Sequence, residues 1–306
     1  MVRRLVRIAL PLVLLIGVGC TPPSSDDDDA SDDDDATDDD DAGPSDEPAP
    51  LATLSNDDCP DLALPGTKTF TSGGLTRDVI IQFPEDRPEG MPVIFMWHGL
   101  GDTAANMAGW MRTEQFAQDN DAIVVVPFST GNFFIEWDYS GDGAEDLALF
   151  DDLRTCLVNE LGADITRFSS TGFSAGGVWT SALSMHRSTS LATILPFSGG
   201  LVTGLTYDTP EYTFPALLAS GGAGVDTWGA GALMQDFAVA SDDFAAELRD
   251  DGHVVVRCNH GGGHQLSSHA LQMLEEWMLP HRFGYPSPFD GGALGGLPSD
   301  ECSGDQ

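Results

Sequence analysis

The sequence predicts an α/β domain over residues 55–306, with a mainly parallel central sheet of about eight strands flanked by helices. Three observations predict it. From Thr67 onward, short apolar runs alternate with helix-length segments, the pattern of repeated βα units. The later runs, such as Val93-Ile94-Phe95-Met96 and Ile123-Val124-Val125-Val126, are continuous, so both faces of those strands are buried. The first two runs, 67–72 and 76–83, have only a Ser72-Gly73-Gly74 turn between them, which makes them an antiparallel hairpin at one edge.

The segment ahead of the domain has its own logic. Arg3, Arg4 and Arg7 precede an apolar run from Ile8 to Val18, too short to span a bilayer comfortably but suited to an export signal over residues 1–19. The run ends in Gly17-Val18-Gly19-Cys20, which resembles a bacterial lipobox with Cys20 as the lipidated residue, although Gly17 stands where the pattern prefers Leu. Thr21 follows instead of Asp, which by the lipoprotein sorting rules favours the outer membrane or cell surface. Residues 20–54 then read as a tether. Asp26 to Asp29, Asp32 to Asp35 and Asp38 to Asp41 recur with a six-residue period and no apolar neighbours, so they bury nothing and repel one another. A solvated spacer is the plain reading, and calcium capture is the alternative.

The formal net charge is −36; residues 1–50 contribute −11, leaving −25 on the rest. Such a surface repels phosphate backbones and excludes nucleic acid as a partner. A neutral ligand is the easier case.

Strands are expected at 92–97, 122–127, 167–172, 192–197, 215–220 and 253–258, and helices at 103–118, 146–162, 175–187, 233–250 and 265–279. Strand 167–172 runs into Gly172-Phe173-Ser174-Ala175-Gly176-Gly177 and then a helix, which is G-x-S-x-G in its proper strand-turn-helix context. Ser174 is therefore the candidate nucleophile; an ordinary N-cap serine is the alternative. Strand 92–97 ends in Trp97-His98-Gly99-Leu100-Gly101. In α/β-hydrolases such a turn supplies an oxyanion-hole N–H, here from Leu100, acting with the backbone N–H of Ala175. His98 is then structural.

Six histidines follow Ser174. His264, in Gly261-Gly262-Gly263-His264 after the last strand, is the candidate base, because a glycine-rich turn lets its imidazole reach back over the sheet edge. A metal pair of His260 and His264 at i, i+4 needs a helix that three glycines oppose. No metal and no cofactor is expected. The acid belongs just past strand 215–220, which singles out Asp226. Asp242 and Asp243 are rivals in a helical stretch, and Asp151 and Asp152 precede the nucleophile.

Together these residues resemble secreted esterases of the polyhydroxybutyrate depolymerase and feruloyl esterase type over roughly residues 60–282. The resemblance rests on Trp97 to Gly101, Glu145-Asp146 with Asp151-Asp152, the Gly172 to Gly177 elbow and Gly262-Gly263-His264. It implies the α/β-hydrolase fold and hydrolysis of carboxylic esters through an acyl-enzyme. The sequence departs at the acid, where Ser220-Gly221-Gly222-Ala223-Gly224-Val225-Asp226 replaces the common H-G-x-x-D. A serine peptidase on the same fold and a non-catalytic surface binding protein are the rival readings. A monomer is expected.

With Cys20 set aside, Cys59, Cys156, Cys258 and Cys302 remain, an even number that suggests two disulfides in an exported protein. The strand order implied by the resemblance sets Cys156 and Cys258 about five strand steps apart, roughly 24 Å, against the roughly 7 Å a disulfide allows. Cys59–Cys156 with Cys258–Cys302 is the favoured pairing. Asp138 to Gly143 has oxygens spaced like the start of a calcium loop, but Leu149 stands where the closing Glu belongs, and a Gly/Asp turn is the alternative. Phe133, Phe134 and Trp137, after strand 122–127, and Trp228 are candidates for a substrate platform, with loop packing as the alternative.

Overall fold

A computed structural model of the chain describes residues 47–56, 58–130, 136–231 and 234–304. The export segment, Cys20, the aspartate repeats, Phe133 and Phe134 lie outside the described residues. Among the described residues no helix is long and apolar enough to cross a membrane.

The hairpin forms as β1 (Gly66–Ser72) and β2 (Leu75–Gln82), joined through the two glycines. Then come β3 (Val93–Trp97), α1 (Ala104–Trp110), α2 (Thr113–Asp119), β4 (Ile123–Pro127), α3 (Ala144–Leu161), β5 (Phe168–Phe173), α4 (Ala175–His186), β6 (Thr193–Phe197) and β7 (Ala216–Ser220). A short two-stranded flap, β8 (Thr227–Trp228) with β9 (Gln235–Asp236), precedes α5 (Phe237–Asp250). The chain continues with β10 (Val255–Asn259), α6 (Ala270–Met273), a π-helical turn over Leu274–Met278, and β11 (Cys302–Gly304). The nine-stranded sheet has the order β1-β2-β4-β3-β5-β6-β7-β10-β11. The six strands from β4 to β10 run parallel; β2 pairs antiparallel with both β4 and β1 at one edge, and β11 pairs antiparallel with β10 at the other.

Strand period two divides the core. Val93, Phe95, Trp97, Ile123 and Val125 face α3, α4 and α5, while Ile94, Met96, Val124 and Val126 face α1, α2 and α6. Both faces are covered, which is why these strands read as unbroken apolar runs.

Three expectations are corrected. The helix expected over 103–118 breaks at Arg112, whose φ of 46° starts α2 afresh. The helix expected over 265–279 becomes regular only at Ala270, because the Ser267 hydroxyl takes the His269 N–H and sends its own proton to Glu301. Residues 49–52, expected in the tether, are bonded to the body: Arg154 donates to the carbonyls of Ala49 and Pro50, and Thr155 to that of Ala52. Just beyond, the buried Asp152 accepts from the Ser55 N–H and from the hydroxyls of Ser55 and Ser72. The Cys59–Cys156 and Cys258–Cys302 disulfides are both present.

Candidate active site

β5 delivers Ser174 on a sharp turn. Its backbone has φ 57° and ψ −120°, a conformation costly for a side-chain-bearing residue, and its N–H bonds to the carbonyl of Phe197. The turn is possible because Gly176 has no Cβ: one placed there would lie 2.0 Å from the Trp97 carbonyl oxygen, so helix α4 could not come this close to β3.

His264 and Asp226 come from neighbouring loops zipped together at the ends of β7 and β10. Gly263 N–H donates to Gly221 O and His260 N–H to Ser220 O. A Cβ on Gly221 would collide with the Gly263 carbonyl at 1.9 Å, so glycine is required there. His264 Nε2 lies 2.9 Å from Ser174 Oγ, and Nδ1 lies 2.7 Å from Asp226 Oδ1. Asp226 is fully buried, and its Oδ2 accepts from Ser198 Oγ at 2.8 Å and Gly221 N–H at 2.7 Å. With Oδ2 occupied by these two donors, Oδ1 faces the imidazole and is placed to accept the proton on Nδ1. The ring is clamped between Phe173, 4.9 Å away, and Phe237, 4.6 Å away, both stacked on it.

Leu100 and Ala175 border the same cleft as Ser174. Neither backbone N–H has a protein partner among the described residues, and Ala175 opens α4, where the helix dipole favours negative charge. His98 is buried behind them. It accepts the Ser129 N–H on Nε2, and its Nδ1 lies 3.0 Å from the Gly99 carbonyl. Glu136 ties this turn down through the Gly101 N–H and the Ser129 hydroxyl.

The cleft has a volume of about 500 Å³, with Val178, Val202, Phe237 and Trp228 as apolar walls. Tyr139 also borders it, and burial raises its hydroxyl above the ordinary tyrosine value, so the group stays neutral. Trp228 stands half-exposed on the rim, carried by the β8–β9 flap. Trp137 is corrected: it is fully buried, donates its indole N–H to the His98 carbonyl and packs edge-on against Trp97, so it supports the turn from beneath. In the Asp138–Gly143 loop, Asp138 accepts the Gly141 N–H and Asp142 the Ala144 N–H, turns that lead into α3.

Solved structures share this architecture. Native sOPH superposes with a TM-score of 0.63 at 18% identity, covering 85% of this chain and 97% of that one. The chain has the α/β-hydrolase fold. A ferulic acid esterase matches the chain with a TM-score of 0.55 at 15% identity, covering 70% of this chain and 95% of that one. By sequence, feruloyl esterase D of Neurospora crassa is 25% identical over 173 residues, 51% of this chain and 58% of that protein. The chain thus spans a little over half the length of that relative. No family model matches. The resemblance drawn from the motifs is met again in these relatives.

Sequence reasoning passed over Ser198, the Gly221 N–H, and the Phe173 and Phe237 clamp. Ser198 had a signal, since it directly follows a strand ending at the catalytic edge.

Proposed function

We propose that this α/β-hydrolase is a serine esterase acting on neutral carboxylic esters, of the polyhydroxyalkanoate or feruloyl and acetyl-polysaccharide kinds, through an acyl-enzyme. The observation that carries the proposal is the unbroken path from Ser174 Oγ through His264 to the buried Asp226. Ser174 Oγ attacks the ester carbonyl carbon while His264 Nε2 takes its proton, which only the neutral imidazole can do. The N–H groups of Leu100 and Ala175 receive the negative charge on the carbonyl oxygen. The C–O bond to the alcohol then breaks, and His264 returns the proton to the departing oxygen. Water repeats the sequence to release the acid. The apolar cleft beside Ser174 supports an acyl group as its occupant.

The test combines fluorophosphonate labelling with turnover of nitrophenyl esters and aminoacyl anilides. Labelling and ester turnover should both vanish in Ser174→Ala. Faster turnover of anilides would favour a peptidase, and absence of labelling a binding protein.

We further propose that the enzyme is exported and held at a membrane surface by lipid on Cys20, with residues 20–48 as spacer; the two disulfides fit an oxidising compartment. Lipid chains must do the holding, at about 0.8 kcal/mol per buried CH₂, since anionic headgroups repel the aspartates. Cys20→Ser should release the enzyme from membranes with turnover of soluble esters unchanged; full retention on membranes would refute the anchor.

A further inference from the structure

The loop carrying His264 runs from Asn259, the last residue of β10, to Ala270, the first of α6. Of its residues only Ser267 and Ala270 are buried, and Gly261, Gly262 and Gly263 stand together in it. Glycine loses the most backbone freedom on ordering, so such a loop holds an imidazole in place only if it is tied from outside. The rings of Phe173 and Phe237 stacked on His264 resist tilting, but they let the imidazole slide in its own plane. Its in-plane position is left to the loop. That loop also walls a second cavity, of about 460 Å³, which His264, Phe173 and Trp110 border.

Ahead of His264 the ties are those of His260 and Gly263 to the end of β7. Behind it they come from Glu301, near the C-terminus. Glu301 Oε2 accepts from Ser267 Oγ at 2.7 Å, and Oε1 lies 2.8 Å from His269 Nδ1. The Glu301 backbone carbonyl accepts the Asn259 N–H at 2.7 Å. One residue therefore grips both ends of the loop, with His264 between them. Its own footing is firm. The Glu301 and Cys302 N–H groups both donate to the Pro298 carbonyl, and Cys302 stands opposite Cys258 in the β10–β11 ladder, joined to it by the disulfide. The Glu301 side chain is only 10% exposed, whereas a carboxylate kept for solubility would face water. Its hydrogen bond, aided by the charges of Glu301 and Asp300, raises the His269 imidazole above its ordinary value against a smaller opposing effect of burial.

We infer that Glu301 is a positioning residue for the candidate base: its clamp on Asn259, Ser267 and His269 sets where the His264 imidazole stands between Ser174 and Asp226. This rests on the esterase reading and extends the machinery from the triad to the C-terminal segment. The imidazole has to keep Nε2 at 2.9 Å from Ser174 Oγ and Nδ1 at 2.7 Å from Asp226 Oδ1 together. A shift of about 1 Å costs on the order of a hundredfold in rate.

The test measures 4-nitrophenyl butyrate turnover against pH in Glu301→Ala, Glu301→Gln and the Ser267→Ala/His269→Ala double variant, with thermal unfolding as the check on the fold. Glu301→Ala should lower kcat by about tenfold to a hundredfold. The acid limb of its kcat/KM profile should also move to lower pH, because an imidazole drawn away from Asp226 loses the partner that favours its charged form. Glu301→Gln should restore most of the rate and the limb, since its amide oxygen can accept from Ser267 and its NH₂ can meet neutral His269 Nδ1. The double variant removes the same side-chain bonds from the loop side while keeping the Glu301 charge. It should reproduce both changes, and it carries the test if Glu301→Ala does not fold. Wild-type kcat in the folded variants overturns the inference, as does a loss of rate with the acid limb unmoved, which marks a merely structural role. A Gln variant as impaired as the Ala variant also overturns it, because the charge alone would then matter. In each case wild-type turnover and fluorophosphonate labelling of Ser174 leave the esterase reading standing. Failure of the wild type itself to cleave esters or take the label overturns that reading and this inference with it.

Discussion

Replacing Asp226 by Asn tests the catalytic geometry most sharply, because the surroundings dictate how the amide must sit. Oδ2 receives the Gly221 N–H, a donor fixed in the backbone, and the Ser198 hydroxyl. In Asp226→Asn the amide oxygen must take that place, which turns the NH₂ toward His264 Nδ1. That nitrogen must then accept, so the imidazole proton moves to Nε2, facing Ser174 at 2.9 Å, where a lone pair is needed. Flipping the amide back would set its NH₂ against the Gly221 N–H and leave two buried donors unmet. At about 1–3 kcal/mol each, the penalty is about 2–6 kcal/mol. The productive arrangement is depleted accordingly, and kcat should fall by roughly thirtyfold to ten-thousandfold, the upper end matching the loss for the same change in a chymotrypsin-type triad. Initial rates on 4-nitrophenyl butyrate measure the fall, and thermal unfolding should show the fold retained. A folded Asp226→Asn enzyme keeping more than about a tenth of wild-type kcat would refute the reasoning.

Further outcomes follow from particular contacts. Gly176→Ala should cost about 3 kcal/mol or more in denaturant unfolding, since the new Cβ would meet the backbone carbonyl of Trp97, which cannot give way; wild-type stability would show that the elbow is not this tight. Trp228→Ala should raise KM for bulky aromatic esters several-fold with a smaller effect on kcat, and an unchanged KM would remove Trp228 from the acyl cleft. Burial lowers the His281 imidazole to about 4 from 6.5, so the unfolded chain takes up its proton first as pH falls. The native state should therefore lose on the order of 3 kcal/mol between those two values. His281→Gln should flatten urea-derived stability over that window; an unchanged slope would contradict it.

The sheet was legible because its parallel strands are buried on both faces, and burial writes continuous apolar runs into sequence. The candidate triad could be picked out because glycines mark the tight turns carrying Ser174 and His264. What stayed hidden depends on contacts between distant segments. Nothing around Trp137 distinguishes an indole facing a cleft from one turned inward to bond the His98 carbonyl. Arg112 is itself a good helix former, and the nearby Gly109 and Thr113 lower helix propensity without fixing where the break falls. Three residues of β11 hold no periodicity, and their place beside β10 is read only once Cys302 is joined to Cys258.

The six tryptophans also sort the molecule optically. Trp97, Trp137, Trp179 and Trp277 are sealed from solvent, while Trp110 and Trp228 are about half-exposed, one on each cavity beside the triad. Fluorescence accessible to a dissolved quencher such as acrylamide should therefore come from the two cavity mouths alone. Single Trp110→Phe and Trp228→Phe enzymes would each leave one accessible emitter. A ligand entering either cavity could then be followed in the unlabelled protein by the indole it shields.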